Sequence, residues 1–141
     1  MSYNPYRQDR DELKELLQQY DNLKKGKNFS FIEEESFERI IDYYDEKEQL
    51  ALALQAAEYG IEQYVYSAAL LLRKADILIA LKKYAEALPI LDKAELLDRR
   101  DTNLYILKTD AYLALDMQEK AAAVLEAAID DFTGDEKLDL L

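Results

Sequence analysis

Residues 53–60 read ALQAAEYG, residues 87–94 read ALPILDKA and residues 121–128 read AAAVLEAA. Each stretch opens on Ala and closes on a residue no larger than Ala: Ala53 and Gly60, Ala87 and Ala94, Ala121 and Ala128. A spacing of seven is close to two turns of an α-helix, so both small residues fall on one face. Helix axes pack about 8–10 Å apart, and the closer value needs small side chains at the contact. The three stretches follow one another at an offset of 34 residues without a gap. A fixed period of that length marks a repeat array.

The same register carries further columns. Phe37, Leu71 and Tyr105 form a bulky one, and Tyr44, Leu78 and Tyr112 a second. Leu50, Tyr84 and Gln118 open the second half of each unit, and Asp42, Asp76 and Asp110 form an invariant polar column. The units are 34–67, 68–101 and 102–135. Each divides into two helix-length halves, first halves at 35–47, 68–81 and 102–115, second halves at 51–64, 84–98 and 118–131. Apolar residues recur in them at three- and four-residue spacing, as in Phe37, Ile40, Ile41 and Tyr44. Joins this short force neighbouring antiparallel helices. Ser67 and Asp101 stand where N-caps are needed.

Residues 1–33 form an N-terminal extension. Leu13, Leu16, Leu17 and Tyr20 make one apolar stripe, so an amphipathic helix is expected over about 10–25, ended by Gly26-Lys27-Asn28. Its expected role is to cover the open face of the first repeat, as terminal repeats require. Residues 1–8 are expected to be disordered. At the other end, Thr133-Gly134-Asp135 reads as a helix stop and a new cap, and 136–141 as the start of a further or capping helix. The chain is thus expected to be the N-terminal fragment of a longer repeat protein. If it is complete, its open C-terminal face is expected to pair with another copy, giving a homo-oligomer.

Composition bounds the chemistry. The chain has 141 residues, half of them apolar, with three Gly and two Pro, as suits one helical domain with short loops. It has no Cys and no His, which removes thiolate and imidazole chemistry and zinc sites built from them. No nucleophile or Gly-rich phosphate loop accompanies its acids, so no catalytic residue and no cofactor is expected. The net charge is -12, which repels phosphate backbones and anionic membrane surfaces alike; neither nucleic acid nor membrane is an expected partner. Nine acids against two bases in 34–67 make the first repeat the acidic end. The absence of a secretion-signal pattern leads to an expected cytoplasmic location.

With these columns in place, the chain resembles the tetratricopeptide repeat family, a 34-residue helix–turn–helix unit. The resemblance rests on Phe37-Ile40-Ile41-Tyr44 with Ala53 and Ala57, on Leu71-Lys74-Ala75-Leu78 with Ala87 and Leu91, and on Tyr105-Lys108-Thr109-Tyr112 with Ala121 and Leu125. The copies are divergent. Val65, Arg99 and Thr133 replace the closing Pro, Lys74 and Lys108 replace a large apolar residue, and Ile41 and Thr109 fill a slot that is normally tiny.

The resemblance implies an all-α solenoid, a right-handed superhelix of three hairpins, acting as a protein- or peptide-binding scaffold. Its concave wall would be lined by the first helix of each unit. Carried over by position, the groove residues are Glu35, Glu38, Asp42 and Asp45; then Ala69, Leu72, Asp76 and Ile79; then Asn103, Ile106, Asp110 and Leu113. Many family members grip an acidic peptide C-terminus with Lys and Asn in these slots. Here none is Lys and only Asn103 is Asn, which disfavours that mode. An Asp row flanked by Leu and Ile suits instead a basic, partly apolar partner segment. The competing reading is a row that is merely solvated or neutralised by Arg39, Arg73 and Lys108. Three Asp on successive hairpins are too widely spaced to converge on one cation. Of the eleven Tyr, Tyr44, Tyr84, Tyr105 and Tyr112 are expected to pack, and Tyr43, Tyr59, Tyr64 and Tyr66 to be partly exposed.

Overall fold

A computed structural model describes residues 5–27 and 31–131. Among them are seven α-helices and no strand. They fall into two compact units, which divide between Tyr64 and Val65. The expected stop at Thr133-Gly134-Asp135 and the expected helix start at 136–141 lie outside the described residues.

In the first unit, α1 spans Pro5–Lys24, α2 Glu34–Glu46 and α3 Leu50–Gln63. Helix α1 begins earlier than its apolar stripe suggests, so residues 5–8, expected to be disordered, are helical. Two local features explain the correction. Proline is well tolerated in the first helical turn, where its missing N–H has no partner to lose. Gln8 also donates to Glu12 one turn on. Neither feature shows in a hydrophobic pattern, because residues 7–12 are all exposed. Helices α2 and α3 form the first antiparallel hairpin. Phe37, Ile40 and Ile41 of α2 are buried with Ala53, Ala56, Ala57 and Gly60 of α3.

Helix α1 packs on that hairpin through Tyr20. Its side chain is 1% exposed, and its ring lies 6.5 Å from that of Tyr44 and 5.8 Å from that of Tyr59. Arg39 reaches from α2 to Asp9 at 3.0 Å and to Glu12 at 3.8 Å. Such exposed pairs are worth about 0–1 kcal/mol, so the aromatic contact holds the helix in place. After α1, Ile32 is buried and its carbonyl accepts from the Tyr64 hydroxyl at 2.6 Å.

The second unit holds two hairpins: α4 (Ala68–Ala80) with α5 (Tyr84–Leu97), and α6 (Thr102–Ala114) with α7 (Gln118–Asp131). Helix α6 packs against both α4 and α5. Ala87 and Ala94, then Ala121 and Ala128, are buried where α5 meets α4 and α7 meets α6. Leu71 and Tyr105 of the bulky column are buried too. Tyr105 also donates its hydroxyl to the Arg99 carbonyl at 2.7 Å. Both expected caps form: the Ser67 hydroxyl accepts from the Leu70 N–H, and the Asp101 carboxylate from the Asn103 N–H. Each satisfies an N–H that the helix itself leaves without a partner.

One element was not visible in the sequence. The turn inside each hairpin holds a non-glycine residue with positive φ: Glu48 at 59°, Lys82 at 64° and Asp116 at 58°. These positions share the 34-residue period. In each turn the next residue closes the helix by donating five residues back, Gln49 to Tyr44, Lys83 to Leu78 and Met117 to Tyr112. This is the Schellman closure, which normally uses glycine. Helix α1 ends the same way with one, Gly26 at φ 67°, where Lys27 donates to Asn22.

Candidate functional site

The residues assigned to a groove lie on α2, α4 and α6. On α2 the stripe is wholly acidic. Glu35 and Asp45 are exposed, Glu38 and Asp42 half-buried. Spacings of three, four and three residues keep the four carboxylates on one side of the helix, over about 15 Å of its length. The opposite side carries the buried Phe37, Ile40 and Ile41. Glu34 and Glu35 sit in the first turn of α2, where the helix dipole favours them.

In the second unit, α4 and α6 pack side by side and bring their two stripes onto neighbouring helices. From α4 come the exposed Ala69 and Asp76, the half-buried Ile79 and the buried Leu72. From α6 come the exposed Asn103 and Asp110, with Ile106 and Leu113 at 48% and 53% exposure. Residues 106, 110 and 113 follow a helical i, i+4, i+7 spacing, so two large apolar side chains bracket one carboxylate on a single stripe. Leu72 is the exception on this face, since its burial makes it part of the floor.

Two of the three cations through which the competing reading would neutralise the Asp row are engaged with other acids. Arg39 reaches Asp9 and Glu12 of α1. Lys108 is buried and pairs with Asp92 at 2.8 Å and with Glu95, both on α5. Burial works against its ammonium, but hydrogen bonds and charge from Asp92 and Glu95 outweigh that and hold its pKa above the ordinary lysine value. The sequence carried only part of the signal: Lys108 shares its column with the buried Ile40, but also with the half-buried Lys74. Its partners were not legible, because they belong to the preceding helix.

The columns separate the tyrosines only at the extremes, Tyr105 and Tyr66. Tyr105 is buried and Tyr44, Tyr84 and Tyr112 are half-buried, while Tyr66 is 81% exposed. Tyr43, Tyr59 and Tyr64 are half-buried, and Tyr59 takes part in the aromatic cluster that seats α1. Among the described residues no group of three or more acids could hold a metal ion. No helix among them is long and apolar enough to cross a membrane.

Helical hairpins with small residues between their paired helices, and in the second unit a helix of one hairpin seated on the previous one, make up the tetratricopeptide-repeat fold. No protein-family model matches the chain, and no curated protein sequence matches it. A solved structure does: the first TPR of Spaghetti (RPAP3), bound to the HSP90 peptide SRMEEVD. It is similar over 76% of this chain and 89% of its own, with a TM-score of 0.65 and 21% sequence identity. At that identity the likeness speaks for the fold.

Proposed function

We propose that the chain is a protein-binding scaffold and that the α4–α6 face receives a basic, partly aliphatic segment of a partner. The observation that carries this reading is the stripe Ile106, Asp110, Leu113, which leaves two large apolar residues exposed around a carboxylate beside the helix that bears Asp76. Apolar contact would supply the binding energy, and the acids would select the sign of the partner's charge. The acidic stripe of α2, with Glu35, Glu38, Asp42 and Asp45, favours the same kind of partner. The tetratricopeptide fold typically serves as a non-enzymatic interaction scaffold. The solved neighbour binds an acidic peptide. This chain has no Lys in its groove positions, so a different sequence preference is expected.

The test is a peptide-display selection against the full chain, repeated with Asp76→Asn/Asp110→Asn. Selected segments should combine Lys or Arg with aliphatic residues. They should bind more weakly at high salt and about tenfold more weakly to the double variant, and SRMEEVD should not bind. Tight SRMEEVD binding, or selected peptides indifferent to both substitutions, would refute the reading.

A second reading, self-association through the last hairpin, has its own observation. Leu91 of α5 is fully buried, whereas Leu125, one repeat later on α7, is 36% exposed. Light scattering of the wild type and Leu125→Glu at high concentration tests it, and a monodisperse monomer in both would exclude it.

A further inference from the structure

The last hairpin has another concave feature, away from the stripe Ile106, Asp110, Leu113. A cavity of about 270 Å³ opens where α5, α6 and α7 meet, bordered by Glu95, Lys108, Tyr112, Lys120, Val124 and Ala127. Lys108 stands about 200° around α6 from Asp110, so this is a different surface from the proposed peptide face. The volume falls just below the range of about 300–1,000 Å³ usual for small-molecule sites, and suits one large side chain better than a whole ligand.

The first unit contains an occupied counterpart. Tyr112 and Ala127 stand 68 residues after Tyr44 and Tyr59, two repeat periods on. In the first unit these positions receive the ring of Tyr20 from α1, 1% exposed, with the Lys24 ammonium 4.7 Å from its centroid. In the second unit the helix alongside is α5, which contributes Glu95, paired with Lys108, to the cavity wall. The residue matching Tyr59 is only Ala127. Space is therefore left where the first unit holds aromatic rings. A lysine is present here as well, with Lys120 Nζ 6.0 Å from the Tyr112 centroid, where an ammonium can share a second π face.

We infer that this cavity is an aromatic anchor site, which takes a Tyr or Phe side chain presented by a partner protein. The ring packs on Tyr112, Val124 and Ala127 beneath the Lys120 ammonium, as Tyr20 packs on Tyr44 and Tyr59 in the first unit.

The test is an amide-resolved NMR titration of the full chain with p-cresol, the side chain of tyrosine as a free molecule. Saturable shifts are expected on α6 around Lys108–Tyr112 and on α7 around Lys120–Ala127. Ala127→Phe, which fills the cavity from an exposed position, should weaken binding about tenfold or more. Ala123→Leu, also at an exposed lining position, is a second filling variant with the same expected result. The nonaromatic 4-methylcyclohexanol should bind more weakly than p-cresol. Absence of saturation, shifts centred on Tyr20 and Tyr44, equal binding of both probes, or wild-type affinity in both filled variants would overturn the inference.

Discussion

Replacing Tyr20 by Phe is expected to make the protein more stable. The Tyr20 hydroxyl is the one buried side-chain polar atom among the described residues that has no hydrogen-bond partner. A buried group left in that state costs about 1–3 kcal/mol. Phe keeps the ring that packs on Tyr44 and Tyr59 and removes the cost, so a gain of about 1 kcal/mol at pH 7 is expected. Near the midpoint that is a rise of about 2–5 °C in Tm for a chain of this size. The substitution also changes the pH dependence. Burial, with smaller contributions from Tyr44, Tyr59 and Glu58, pushes the Tyr20 pKa far above the ordinary value. A phenol whose folded pKa is raised has no effect on stability below its unfolded pKa of about 10. Above that pH the unfolded chain releases a proton that the folded chain keeps, and stability falls by about 1.4 kcal/mol per pH unit. The advantage of Tyr20→Phe should therefore widen between pH 10 and 11. Other tyrosines titrate in both proteins, so the difference between them isolates Tyr20. Urea unfolding followed by circular dichroism at pH 7 and pH 11 measures both effects. A loss of 1 kcal/mol or more on substitution at pH 7 would mean that the hydroxyl has a partner, and would refute the argument.

Three further outcomes are expected. Glu48→Gly and Lys82→Gly should each stabilise by about 1 kcal/mol by relieving a positive φ, and Asp116→Gly by less, because Asp tolerates that conformation better; thermal unfolding reads the order. Pro89 lies inside α5 at an exposed position, so Pro89→Ala restores a backbone donor and should raise stability by about 1–3 kcal/mol, seen in urea unfolding. Lys108→Met keeps the volume of a buried residue but leaves the carboxylates of Asp92, 61% exposed, and Glu95, 31% exposed, without their cation; it should lose about 1–2 kcal/mol, and Lys108→Ala about 2–4 kcal/mol more through the added cavity, both read by urea unfolding.

Much of the fold was legible because it rests on side-chain size at a fixed period. Ala53, Ala87 and Ala121 must be small for helices to approach, and that demand leaves a mark in the sequence. The halves of each hairpin, read from apolar spacing, lie within a residue or two of the observed helices. The turns were not legible, because their positive φ is carried by Glu48, Lys82 and Asp116 and not by glycine. The start of α1 was missed because residues 7–12 are all exposed and leave no apolar pattern. At the candidate face, position in the repeat did not give exposure. Leu72 and Ile106 occupy the same slot, yet only Leu72 is buried. The cations lying close in sequence to the Asp row were poor guides, since Arg39 and Lys108 reach acids on preceding helices. Ion pairing between helices depends on packing, to which a one-dimensional pattern is blind.

The repeated turn carries a consequence for how such a chain can change over time. Glu48, Lys82 and Asp116 are all exposed, and the backbone alone closes each corner. Their side chains already differ in sign from one corner to the next. Charge can therefore be rewritten at these three places without disturbing a helix contact, so the overall negative balance can drift through the corners while the packed interior stays fixed.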